Sequence, residues 1–129
     1  MRIVLESEEE LLVKPTDEPL AIEATSPELS YSAFHMLGSA LGACVLAVLS
    51  SWAEQADISA DQLSVGVKWH FADDPHRVDQ FEVKLHWPDL PAERTVTAQR
   101  VADLCGIHET LTHQPEIHVH FETGVGPAA

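Results

Sequence analysis

The chain has 129 residues, 45% of them hydrophobic, so it is long enough to bury one core without disulfide or metal support. Seven Lys and Arg stand against 21 Asp and Glu, which gives a formal net charge of -14. Nucleic acids and anionic membrane surfaces both bind proteins through Lys and Arg, so this balance argues against nucleic acid and membrane as partners.

The first 28 residues predict short strands rather than helices. Three extended segments, Arg2–Leu5, Leu11–Lys14 and Leu20–Ala24, are separated by turns that are acidic or contain Pro15 and Pro19. The start of the chain lacks the long apolar region of an export signal. We therefore expect a cytoplasmic protein, in which the two cysteines are held as thiols.

A long uncharged stretch follows, from Leu29 to Ala53. By length alone it could span a membrane. It lacks basic flanking residues and contains many small or hydroxylic side chains, so we expect a central helix of a globular core over about residues 30–55. Gly38 and Gly42 lie one turn apart, where they let another backbone approach closely. Because one short domain offers few elements to surround such a helix, we expect a second copy of the chain to supply part of its cover.

A β-hairpin is predicted over residues 62–87. Apolar residues alternate along two runs separated by a turn of Asp, Pro and Ala residues, as in two antiparallel strands with one buried face. The residues expected to face the core are Leu63, Val65, Val67, Trp69 and Phe71 in the first strand, and Phe81, Val83, Leu85 and Trp87 in the second.

The last third of the chain predicts a helix and a closing strand. The helix is expected over residues 93–105 with Gly106 as its cap, and a shorter helix over 107–112. Apolar residues alternate with other residues again over residues 116–122, which predicts the last strand. The tail, residues 124–129, is expected to fray. The order of strands, long helix, hairpin, helix and strand indicates a single α+β domain over residues 1–129.

Two cysteines lie in patterns that bear on function. Cys44 ends the run SALGAC in the predicted central helix, and Cys105 lies in the run ADLCGIH after the hairpin. Together with the hairpin between them and the closing strand, this arrangement resembles the OsmC/Ohr family (osmotically inducible protein C and organic hydroperoxide resistance proteins) over about residues 32–121. The resemblance implies an OsmC-like fold, with antiparallel sheets packed around a long central helix, and an intertwined homodimer.

The resemblance also implies an activity. Active members of the family reduce organic hydroperoxides with two cysteines, so Cys44 takes the position of the peroxidatic thiolate and Cys105 that of the resolving thiol. A hydroperoxide would oxidise Cys44 to a sulfenic acid, Cys105 would convert it to a disulfide, and external thiols would reset the pair. No metal or organic cofactor is implied. The implied partners are a second copy of the chain and a small organic hydroperoxide.

The sequence departs from the family in the groups that activate the first cysteine. Peroxidase members carry an N-terminal arginine and a glutamate about three helical turns before that cysteine. Here Ser32–His35 occupy the glutamate zone, and the N-terminal region offers Arg2 and Lys14, neither matched to the arginine. A buried thiol without a nearby cation or helix end keeps a high pKa. Two hypotheses follow: a thiol-dependent peroxidase, or a dimer without peroxidase chemistry that binds a small apolar ligand near Cys44.

Two histidines are auxiliary candidates. His35 precedes Cys44 by about 13 Å of helix and half a turn, so it could reach only the Cys44 of a partner chain. His108 follows Cys105 by three residues and would lie near that thiol in a helix. His118 and His120 share a face of the last predicted strand, but exposed strand faces commonly carry such pairs, so no metal site is expected.

Overall fold

A long helix lies across one face of a five-stranded sheet. The structure, a computed structural model, describes residues 1–124 and 126–127. The strands of the sheet are β1 (Arg2–Ser7), β2 (Glu10–Lys14), β3 (Ala21–Ala24), β4 (Ser64–Ala72) and β5 (Arg77–His86). The helices are α1 (Ala33–Gln55), α2 (Thr95–Ala102) and α3 (Gly106–Thr112), and a short strand pair, β6 (Glu122–Thr123) and β7 (Gly126–Pro127), ends the described chain. The α+β class is confirmed, and residues 125, 128 and 129 of the tail predicted to fray lie outside the described residues.

The sheet is mixed rather than purely antiparallel. Its strand order is β3-β1-β2-β4-β5, in which β3 runs parallel to β1 and the other neighbours are antiparallel. The parallel pair arises because the connection from β2 to β3 crosses the end of β1. The N-terminal amine holds this connection by donating hydrogen bonds to Thr16 Oγ1 and to the Glu18 carbonyl.

Helix α1 approaches the sheet closely at two glycines. A Cβ on Gly38 would lie 2.7 Å from the Trp69 ring, and a Cβ on Gly42 would lie 2.8 Å from a methyl carbon of Val13. The close approach predicted for this row of small residues is therefore made by the chain's own β2 and β4. The core between α1 and the sheet consists mainly of aliphatic residues and one tryptophan: Ile3, Leu5, Leu11, Val13, Leu41, Val45, Leu49, Leu63, Val65, Val67 and Trp69.

The opposite face of α1 is exposed in the single chain. Met36, Ala40 and Ala47 lie on that face and have no cover among the described residues. By length and composition α1 could cross a membrane, since its 23 residues include a window of mean hydropathy 1.8. Core helices of globular proteins share these properties, and α1 packs against β2 and β4 on its other face.

The elements after the hairpin differ from the prediction. Helix α2 ends at Ala102 rather than at 105, because the amides of Leu104 and Cys105 donate to carbonyls three residues back and tighten the last turn. Gly106 does not cap α2. It is the first residue of α3, and Cys105 is the N-cap of that helix.

The strand predicted over residues 116–122 is absent over most of that range. Residues 114–121 have no regular structure, and pairing begins only at Glu122. The alternating apolar side chains Ile117, Val119 and Phe121 are 82%, 75% and 71% exposed. A strand needs a hydrogen-bonded neighbour, and the described part of this chain offers none to the segment.

Strand β5 forms one edge of the sheet, and its apolar face is only partly covered. Phe81 and Leu85 are half-buried and Val83 is 39% exposed, although the alternation predicted all three in the core. The facing residues of β4, including Val65 and Val67, are fully buried. The difference arises because β4 lies in the middle of the sheet beneath α1, whereas β5 borders an open cleft.

Candidate functional site

The structure brings Cys44 and Cys105 together. Cys44 is half-buried on α1, and Cys105 is fully buried immediately before α3. Both are free thiols, and they lie near enough that each changes the pKa of the other. The two cysteines that the resemblance singled out are thus neighbours in the fold, although their sulfurs are not bonded to each other.

The start of α3 positions Cys105. Its backbone is extended (φ -58°, ψ 128°), and its sulfur accepts a hydrogen bond of 3.4 Å from the backbone amide of His108. The chain reverses between Ala102 and Cys105, which turns the first amides of α3 toward α1. The N–H groups at a helix start have no partner within the helix, so they are available to the two sulfurs.

Two opposing effects determine the pKa of Cys44. Burial acts to raise it, because an apolar environment disfavours the thiolate. The Cys105 thiol and the nearby backbone amides of Ile107 and Gly106 act in the other direction by stabilising the anion, and together they place the pKa of Cys44 below the ordinary cysteine value. Cys44 is therefore the thiol of the pair that ionises more readily.

The same contacts have the opposite effect on Cys105. Burial raises the pKa of the Cys105 thiol, and its hydrogen bond to Cys44 raises it further because the bond uses its proton. Amides of His108 and Ile107 act in the other direction without cancelling these effects. The pair is therefore polarised: Cys44 loses its proton more readily than Cys105.

The amides of Gly106 and Ile107 are functional groups that sequence reasoning did not find. Cys44 was expected to lack an activator because no arginine or carboxylate could be matched to it. Its activators are main-chain donors, which no residue type encodes. The one available signal was the start of a second helix directly after Cys105, a position where amides are unpaired.

The two auxiliary histidines occupy different places. His35 is buried at the start of α1, where its Nδ1 accepts from the Ser32 amide at 3.2 Å and its Nε2 donates to the Ser7 carbonyl at 2.8 Å. Both ring nitrogens are thus engaged in joining α1 to β1. His108 contacts Cys105 through its backbone amide, whereas its imidazole lies 3.9 Å from Asp103.

An open cleft of about 1080 Å³ lies next to the elements that carry the two cysteines, although neither cysteine lines it. Leu41 and Val45, which flank Cys44 on α1, form its floor, and His108 belongs to its wall. Strand β5 forms one side, and α2 and α3 form the other. The lining is mainly apolar, with charged side chains at its edges (Arg77, Asp79, Lys84 and Asp103).

Within residues 1–124 and 126–127, no group of three His, Cys, Asp or Glu side chains is arranged to hold a metal ion. His118 and His120 stack with ring centroids 6.4 Å apart, and His118 pairs with Glu116 at 3.2 Å. Both histidines lie in the exposed segment before β6, away from His70 on the sheet, which pairs with Asp79.

Comparison with known proteins identifies the family and the fold of the chain. A sequence model of the family described as OsmC-like protein matches residues 26–120. No curated protein matches the chain. The structure is similar to a protein assigned to the osmotic stress and detoxification response of Psychrobacter arcticus 273-4, with a TM-score of 0.60 and 19% identity over 65% of this chain and 62% of that one. It is also similar to an OsmC-like hydroperoxide resistance protein from Jannaschia sp. CCS1, with a TM-score of 0.58 and 17% identity over 74% of this chain and 69% of that one.

The two structural similarities establish a shared fold, and the chain spans 62% of the length of the Psychrobacter protein. The family match covers most of the chain, including both cysteines, the hairpin between them and the start of α3. The chain belongs to the OsmC-like protein family.

Proposed function

We propose that the protein is a thiol-dependent hydroperoxide reductase that uses Cys44 and Cys105. The observation that carries the proposal is the polarised cysteine pair, in which hydrogen bonds lower the pKa of Cys44 and burial together with the same pairing raises that of Cys105. A peroxidatic cysteine reacts as its thiolate, whereas a resolving cysteine supplies a proton when the disulfide forms. The hydroperoxide resistance of the Jannaschia relative supports the same function.

The proposed reaction balances with thiols alone. The Cys44 thiolate attacks the terminal oxygen of an organic hydroperoxide, the O–O bond breaks, and an alcohol leaves after taking up a proton, so Cys44 becomes a sulfenic acid. The Cys105 sulfur then attacks the Cys44 sulfur, the S–O bond breaks, and water leaves with the Cys105 proton. An external dithiol restores both thiols by exchange and is itself oxidised to a disulfide.

The working form that we propose is a homodimer in the cytoplasm, where external thiols are abundant. Three surfaces support association with a second copy: the exposed face of α1 around Ala40, the partly covered face of β5, and the unpaired segment 114–121. The segment keeps the alternation of a strand but has no neighbour in the described chain, and β5 is an open edge. A second copy would supply the neighbouring strand that both the segment and the edge of β5 lack.

Turnover of an organic hydroperoxide tests the function. With cumene hydroperoxide and a dithiol reductant, the wild-type protein should consume peroxide continuously, and Cys44→Ser should lose at least about a hundredfold of that rate, because an alcohol has no accessible anion. Cys105→Ser is the matched variant: it should still be oxidised once at Cys44 but should not form the intramolecular disulfide. Full activity in Cys44→Ser would contradict the proposal.

A second function is favoured by the cleft itself. Its volume of about 1080 Å³ and its apolar lining suit a small apolar ligand held beside Cys44 without reaction. Mass analysis after peroxide treatment separates the two functions. A sulfenic acid on Cys44 or a Cys44–Cys105 disulfide favours the reductase, and two unmodified thiols favour the binding protein.

A further inference from the structure

The resolving cysteine is inaccessible in the reduced protein. Cys105 is 0% exposed, and Ile107 of α3 packs against the same core. A dithiol that resets the pair must bring one of its sulfurs into line with the disulfide bond. The burial that shields the two thiols in the reduced protein therefore also hinders reduction of their disulfide after turnover.

Helix α3 is a weak element whose start depends on these sulfurs. It has seven residues and none of them is buried, and isolated helices of this length are unstable in water. Thr110 and Thr112 have low helix propensity, and their hydroxyls bond to carbonyls within the same helix. The amide of His108, in the first turn, donates to the Cys105 sulfur at 3.4 Å, which makes Cys105 the N-cap of the helix. The amides of Gly106 and Ile107 lie near enough to Cys44 to lower its pKa. Sulfur thus replaces the side-chain oxygen that caps most helices.

Disulfide formation removes these acceptors. A thiolate accepts charge-assisted hydrogen bonds, which are about twice as strong as neutral ones, whereas a disulfide sulfur is neutral and a poor acceptor. The two sulfurs must also close from hydrogen-bond separation to about 2 Å, which draws Cys105 Sγ away from the His108 amide. The His108 amide therefore loses its partner, and α3 loses its N-cap.

We propose that the Cys44–Cys105 disulfide uncaps α3, and that the loosened helix opens as a lid and admits the dithiol reductant. This inference rests on the disulfide step of the proposed function. His108, Leu111 and Thr112 line the cleft, so loosening of α3 also opens the wall of the cleft beside the disulfide. The reduced protein keeps the lid closed, and the oxidised protein opens it.

Hydrogen exchange measured by mass spectrometry tests the lid. The disulfide is made in two ways, with an organic hydroperoxide and with diamide, and is verified by mass. Amides of residues 106–112 should exchange about tenfold faster in the disulfide form, the effect of losing one N-cap, whereas peptides from β4 should be unchanged. Cys44→Ser keeps the Cys105 cap and cannot form the bond, so diamide should leave its exchange unchanged.

The rate of reduction gives a second, independent measurement. Thr110 is exposed and touches neither sulfur, and Thr110→Ala raises the helix propensity of α3. Reduction of the diamide-formed disulfide by dithiothreitol should be about two- to threefold slower in Thr110→Ala than in the wild type.

Three outcomes would overturn the lid: equal or slower exchange over 106–112 in the disulfide form, an unchanged reduction rate in Thr110→Ala, or no disulfide with either oxidant. Loosening seen with diamide but no reaction with hydroperoxide would support the lid and refute the reductase. The two proposals are therefore tested separately.

Discussion

Three nearby donor groups act against the effect of burial on the pKa of Cys44. The neighbouring thiol and two backbone amides stabilise the anion that an apolar helix would otherwise exclude. This places the activation of Cys44 in the main chain of α3, in a protein with few cations: seven Lys and Arg in 129 residues. A shortage of Lys and Arg argues against a thiol that is activated by arginine, but it does not prevent activation of a thiol by backbone amides.

The pH dependence of Cys44 follows from the direction of its shift. The reactive thiolate forms as pH rises through the pKa of Cys44, so a lowered pKa preserves reactivity to lower pH than for an unperturbed cysteine, which titrates near about 8.5. Alkylation by iodoacetamide, followed by mass spectrometry across a pH series, should modify Cys44 before Cys105 and with the lower midpoint. Equal midpoints for the two cysteines would show that the pair is not polarised.

Gly106→Pro tests the amide contribution within the same titration. Proline has no N–H, so the Cys44 midpoint should move upward and alkylation at pH 7 should slow by about three- to tenfold, the value of one ordinary hydrogen bond. The exchange suits the backbone, because proline is favoured at the first position of a helix, Cys105 is already extended, and a Cβ at residue 106 meets no atom within 4 Å. Gly106→Ala keeps the amide and should leave the midpoint near that of the wild type.

At the scale of elements, the close contact between α1 and the sheet sets the position of Cys44. Gly42 faces β2 and β4, and Cys44, two residues later, points to another side of α1, where the start of α3 lies. A displacement of α1 from the sheet would therefore also change the distance between the cysteines.

Gly42→Ala should lower the free energy of unfolding by about 1–3 kcal/mol, because the added methyl group would lie 2.8 Å from a methyl carbon of Val13. Gly66→Ala is the control: its Cβ would meet the nearest atom at 3.6 Å, an ordinary contact, so stability should change little. Urea denaturation of the two variants measures both values. Equal stabilities would mean that α1 can move away from the sheet without cost.

Periodicity predicted the elements that one chain completes by itself. The alternation in β4 and the uncharged length of α1 were sufficient, because each buries its apolar side chains within the chain. The end of α2 and the segment 116–122 were not predictable in this way, since the first depends on a tightened turn before Cys105 and the second on a neighbouring strand. Likewise the resemblance indicated both cysteines. The backbone amides that lower the pKa of Cys44 could not be predicted, because their position beside Cys44 depends on where α3 lies in the fold.

At the scale of the whole molecule, the proposed dimer would cover the exposed apolar surfaces of α1 and β5. Analytical ultracentrifugation of the wild type should give twice the chain mass of 14.2 kDa. Ala40→Glu should give the monomer, because a carboxylate that is exposed in one chain would be buried without a partner between two α1 helices. Gln62→Glu adds the same charge on an exposed loop and should remain dimeric. A monomeric wild type would refute the dimer.

Reduction of a hydroperoxide by Cys44 and Cys105 is tested most directly by the stoichiometry of a single turnover. The reduced protein is mixed with one equivalent of cumene hydroperoxide, and its intact mass, cysteine-containing peptides and released alcohol are determined. We expect one equivalent of alcohol, the loss of two hydrogen atoms from the protein, and a bond between Cys44 and Cys105. Two unmodified thiols and unconsumed hydroperoxide would contradict the claim.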